Sequence, residues 1–146
     1  MDRGLILEWY RFADTDLALA RHALSMHPPP LEAICYHCQQ SAEKYLKGYI
    51  INTGSILPPK VHNLDTLCEM CEEYDDRFQE LRKPCSVLTD YGIQPRYPHE
   101  MEIHEHEMQK AIVYAEEIRD FAPLQAVRQE LERIVHDANN DESPAK

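Results

Sequence analysis

Three consecutive prolines, Pro28, Pro29 and Pro30, separate two segments that each repeat apolar residues every three or four positions. Proline has no backbone N–H and its ring clashes with a preceding helical turn, so neither segment can continue through the triplet. The upstream segment predicts a helix from about Leu5 to Met26. Its apolar face is read as Leu5, Trp9, Phe12, Ala13, Leu17, Ala20 and Leu24. The downstream segment predicts a second helix from Leu31 to about Ile51, with a stripe of Ile34, Cys35, Cys38, Ala42, Tyr45, Leu46, Tyr49 and Ile50. Gly54, just past that end, suits a cap or loop.

The same punctuation continues downstream. Ile56-Leu57-Pro58-Pro59 is a stiff connector, and a third helix is predicted from Asn63, whose side chain can cap it. Asp75-Asp76 interrupts that helix. A fourth stripe of Phe78, Leu81, Cys85, Leu88 and Tyr91 crosses Pro84, which predicts a helix that starts late or kinks there. Gly92 to Pro98 reads as a loop. A last helix is predicted over about Glu100 to Val135, bent or divided at Pro123. No strand-like alternation occurs. Four to five helices with short connections predict an all-α, up-and-down antiparallel bundle spanning 1–136, with 137–146 as an unstructured polar tail.

With 146 residues the chain is one domain long. A formal net charge of −11 argues against broad, phosphate-driven binding to nucleic acid, which needs a basic face. No run of about 18 apolar residues is present, so no membrane span is expected. Met1-Asp2-Arg3-Gly4 lacks the basic-then-apolar pattern of an export signal, so a cytoplasmic location is expected.

Three constellations can carry chemistry. Cys35/Cys38 and Cys68/Cys71 have paired C-x-x-C spacing, which suggests a four-cysteine zinc site. Both pairs, however, fall on apolar stripes, so core packing is the stronger expectation and no metal or other cofactor is predicted. His99, His104 and His106 are interleaved with glutamates near the start of the last helix, where acidic residues also suit the helix dipole. Finally, Gln39, Gln40, Glu43, Lys44 and Lys47 flank the stripe of the second helix. Glu43–Lys47 is a favourably oriented i,i+4 pair, and composition alone reads this side as a solvated face.

Cys35-Tyr36-His37-Cys38-Gln39-Gln40-Ser41-Ala42-Glu43-Lys44-Tyr45-Leu46-Lys47-Gly48 resembles the signature helix of the HEPN family, the higher eukaryotes and prokaryotes nucleotide-binding domains. Trp9, Ala13, Asp16, Leu17 and Ala20 are similar to the family's first helix. Pro59-Lys60-Val61-His62-Asn63-Leu64 resembles its Pro-x-x-His-Asp/Asn-Leu turn. Leu88 to Pro98 resembles the leucine and tyrosine ahead of an Arg-Tyr-Pro loop. The likeness covers about Leu5 to Phe121.

The resemblance implies a helical bundle that usually dimerises, with small apolar residues where Cys35 and Cys38 stand. It also implies one of two activities. One branch of the family comprises metal-independent ribonucleases, often toxins, with an Arg-x(4–6)-His motif. The other binds nucleotides or partners, commonly beside a minimal nucleotidyltransferase made as a separate chain. Here Arg96 is followed by His99, His104 and His106 after two, seven and nine residues, none of which fits that motif. Arg21 and His27 fit numerically but run into the proline triplet. The expectation is therefore a non-catalytic, homodimeric protein in a toxin–antitoxin-like setting that binds a nucleotide or a nucleotidyltransferase. Lys44, Lys47, His62, Arg96 and Tyr97 would form the nucleotide site, and Tyr97 or Tyr36 would stack on a base. The alternative is a ribonuclease toxin using Arg96 with His99 or His104.

Overall fold

A computed structural model describes residues 2–93 and 102–141. Among them lie six α-helices and no strand: α1 (Arg3–His22), α2 (Leu31–Gly54), α3 (Leu64–Glu72), α4 (Arg82–Thr89), α5 (Glu105–Arg119) and α6 (Ala122–Asp141). Consecutive helices double back to give the expected antiparallel bundle. Asp2 caps α1, its carboxylate accepting from the Gly4 amide at 2.7 Å. Asn63 caps α3 in the same way, accepting from Asp65 and Thr66. Pro84 sits in the first turn of α4, where its missing N–H has no intrahelical acceptor, so the helix starts late rather than kinking. The expected last helix is divided, with α5 ending at Arg119 and α6 beginning just before Pro123. α6 runs on to Asp141, into the stretch read as tail.

α2 is the centre of the molecule, wrapped by α1, α5, α3, α4 and α6. Its tightest neighbour is α1. Gly48 makes that approach possible, because a Cβ there would lie 3.2 Å from the Tyr10 ring and 3.3 Å from Trp9 Cβ. The Ser41 hydroxyl stitches the same pair by donating to the Ala13 carbonyl at 2.8 Å. α1 buries only part of the face expected of it, at Ala13, Leu17 and Ala20. Ile6, Tyr10, Ala13, Leu17 and Ala20 enter the core, whereas Leu5 and Phe12 point outward, 65% and 57% exposed. Both stripes satisfy three-and-four spacing, and the one that matches α2 is the one buried.

α6 is fastened across α1 and α2 by Arg128, which donates to both Asp14 oxygens at 3.0 and 2.6 Å and lies 5.5 Å from the Tyr10 ring centroid. Tyr45 donates its hydroxyl to the same carboxylate. Burial opposes ionisation of Asp14, but these donors outweigh it and hold the carboxyl below its usual value. Where α1 begins and α6 ends, a groove of about 910 Å³ opens, lined in part by Asp2, Ile6, Thr53, Leu131, Val135 and Asn139.

All five cysteines are free and buried. Cys35 and Cys38 pack within α2, Cys68 and Cys71 within α3, so the C-x-x-C pairs are core, as the stripes imply. Burial pushes the Cys35 thiol up to about 12 and raises Cys38 and Cys71 further, while the contact with Cys68, with burial behind it, raises Cys85. No cluster of three or more metal-ligating side chains occurs among the described residues. No helix among them is long and apolar enough to cross a membrane.

Candidate functional site

The polar side of α2 is not the solvated face that its composition suggests. Gln39, Glu43 and Lys47 are all buried, Gln39 completely. A helix wrapped on most sides has little solvent-facing arc, so polar residues off the main stripe are enclosed and need internal partners. Lys47 Nζ lies 3.2 Å from Glu43 Oε2, with the Trp9 ring centroid 6.0 Å away. Gln39 donates to Glu43 Oε1 and to the His62 carbonyl, both at 3.3 Å, while His62 Nδ1 lies 3.3 Å from Glu43 Oε2. Gln40 donates to Gln39 Oε1 at 2.7 Å. Gln39 and Glu43 thus clamp the loop before α3 onto α2.

Between its end turns, α2 shows solvent only a narrow strip: Ala33, Tyr36, His37, Gln40 and Lys44. Asp16 of α1 lies along this strip. His37 Nδ1 is 3.1 Å from Asp16 Oδ1, and Lys44 Nζ donates to Asp16 Oδ2. The side chains of His37 and Lys44 are 31% and 27% exposed, so both can meet a ligand while Asp16 anchors them. Tyr36 packs edge-on beside His37 at 5.6 Å. His62 projects from the neighbouring loop with its side chain 81% exposed.

Of the residues expected to bind a nucleotide, the fold therefore makes Lys44 and His62 accessible and places Lys47 beneath them in the Glu43 network. Arg96, Tyr97 and His99 lie outside the described residues. His104 begins α5, its amide donating to Glu107 Oε1 at 3.3 Å and its ring stacked on His106 at 5.9 Å. Arg21 pairs with Glu116 at 2.9 Å. Asp16 and His37 were not among the expected site residues. His37 carried a usable signal, since it precedes Lys44 by two helical turns on the same stripe; Asp16 comes from another helix, and no local spacing reveals it.

Comparisons with known proteins agree with this architecture. The HEPN domain model matches residues 6–131. The crystal structure of TT1696 from Thermus thermophilus superposes with a TM-score of 0.67 at 25% identity, covering 90% of this chain and 99% of that one. No curated protein sequence matches the chain.

Proposed function

Because the chain belongs to the HEPN family, we propose that it is a non-catalytic, homodimeric nucleotide-binding protein that works beside a minimal nucleotidyltransferase. The observation that carries the nucleotide reading is the convergence of Lys44 and His37 on Asp16 along the exposed strip of α2. In a chain of net charge −11, that strip offers two cation-capable side chains to a phosphate, and Tyr36 beside them offers a ring to a base. Arg96 and Tyr97 complete the site in this reading. Lys47 acts through Glu43 by holding His62 in place, as a positioning residue.

Titration calorimetry with ATP, GTP and AMP tests the proposal. Binding weakened by Lys44→Ala and by Arg96→Ala supports it. Absence of heat at millimolar nucleotide, or binding indifferent to both substitutions, refutes it. Co-purification with a co-expressed minimal nucleotidyltransferase tests the partner. The ribonuclease alternative draws less support, since the spacing from Arg96 to each later histidine departs from the motif. Growth arrest on expression, relieved by Arg96→Ala, would reverse that order.

A further inference from the structure

Two aromatic rings border the strip that carries Asp16, His37 and Lys44, and they are not equivalent. Tyr36 is already engaged, with the His37 ring edge-on against it at 73° and 5.6 Å between centroids. Trp9 of α1 stands at the other end of the strip with open space before it. There a hollow of about 300 Å³ is lined by Leu5, Glu8, Trp9 and Phe12, and Lys44 of α2 closes its rim. Lys44 belongs to both places, since its ammonium donates to Asp16 beside His37. The register of the two helices fixes this order. Gly48 abuts Trp9, the Ser41 hydroxyl reaches the Ala13 carbonyl, and His37 meets Asp16, so the hollow and the cationic pair lie along one seam.

The hollow has the features of a seat for a flat ring. Trp9 is half-buried and held before any ligand arrives: its Cβ would lie 3.3 Å from a Cβ at Gly48, and the buried Lys47 ammonium is 6.0 Å from its ring centroid. A ring fixed in advance loses little freedom when another stacks on it. Leu5 and Phe12 project into solvent one turn to either side of Trp9 and bracket whatever lies on it. The volume is at the lower end for small-molecule pockets. Trp9 and Asp16 are two turns apart, about 10 Å along the helix, within reach of a nucleotide from the far edge of its base to its 5′-phosphate.

We propose that this hollow is the base subsite of the nucleotide site. A nucleoside 5′-phosphate lays its base on Trp9 between Leu5 and Phe12 and sets its phosphate on Lys44 and His37, with Asp16 beneath as their anchor. The inference rests on the nucleotide reading above and assigns the base to Trp9 rather than to Tyr36. An apolar, aromatic floor with a cation at one edge complements a ligand that is flat and apolar at one end and anionic at the other.

Titration calorimetry of the full chain with adenosine 5′-monophosphate and with ribose 5-phosphate tests this, because the sugar phosphate carries the same anion and no base. The wild type should bind the nucleotide about 10-fold more tightly, the usual gain from stacking one base on an aromatic side chain. Trp9 is the single tryptophan of the chain. Its fluorescence should therefore fall along the same isotherm with the nucleotide and stay constant with ribose 5-phosphate. Phe12→Ser, at an exposed position, should keep the wild-type unfolding curve and bring the two affinities to within about 2-fold of each other. Equal affinities in the wild type refute the base subsite and leave the phosphate reading standing. Absence of binding by either ligand at millimolar concentration refutes the nucleotide reading itself. A preference for the nucleotide that survives Phe12→Ser, or that leaves the tryptophan unquenched, refutes the assignment, and its loss in Tyr36→Leu alone would seat the base on Tyr36.

Discussion

Replacing Glu43 by leucine would leave the Lys47 ammonium enclosed, its side chain only 6% exposed, with the Trp9 ring 6.0 Å away and the carboxylate gone. An uncompensated charge of this kind costs about 3–5 kcal/mol. Lys47→Met is milder, because Glu43 still accepts from Gln39 at 3.3 Å and keeps His62 Nδ1 at 3.3 Å. About 2 kcal/mol is expected there, as for a buried acceptor that loses one of several partners. The double variant removes both charges together. Its cost should fall to about 1–2 kcal/mol, set by the amide and imidazole that lose their acceptor. The two single costs should thus exceed the double by about 3–6 kcal/mol, a coupling far above the few tenths seen for independent sites. Urea unfolding followed by far-ultraviolet circular dichroism measures all four corners of the cycle. In a thermal scan Glu43→Leu alone should lower Tm by about 8–16 °C for a domain of this size. Additive single costs below about 1 kcal/mol each would show a pair that behaves as if solvated, and would refute the enclosed network.

Two further outcomes are expected. Arg128→Ala should destabilise the fold by only about 1 kcal/mol, because Asp14 is 42% exposed and solvent screens the pair, yet it should speed hydrogen exchange in α6 more than in α2. The depressed Asp14 carboxyl contributes stability above its ordinary value and loses it as pH falls through the folded one. The gap between wild type and Arg128→Ala should therefore close below about pH 4, read by unfolding curves across that range; a gap that widens on acidification contradicts the assignment. The five buried thiols should resist alkylation in the native protein at pH 8 and all react in denaturant, counted by intact mass. A cysteine that labels rapidly in the native state would contradict its core placement.

The helices were legible in the sequence because prolines and three-and-four spacing are local signals. Pro28–Pro30, Pro84 and Pro123 mark boundaries that the structure keeps. The choice of face was only partly legible. On α1, residues 5, 9 and 12 and residues 6, 10 and 13 repeat with the same period, and only the Gly48 approach of α2 decides which set is covered. On α2 the difference between Lys44 and Lys47 is one turn, yet one ammonium reaches solvent and the other is enclosed beside Glu43 and the Trp9 ring. Spacing within a helix reports angle, and burial also depends on what stands at that angle. For the same reason the strip at Asp16, His37 and Lys44 was half readable: its α2 members share a stripe, and its α1 member is supplied by packing.

The groove where α1 begins and α6 ends has a topological consequence. Asp2 and Asn139 line the same hollow, so a short linker from the end of α6 to the start of α1 would close the backbone into a ring. Leu57, 80% exposed in the helix-free connector between α2 and α3, is then a natural place to reopen it. Such a permuted chain would start at the connector and finish with α2, so that the central helix would be made last, into a shell already assembled around its place. Unfolding curves for that permutant close to those of the original order would show that this bundle is defined by which faces meet and not by the sequence in which its helices are delivered; a molten permutant would show the opposite.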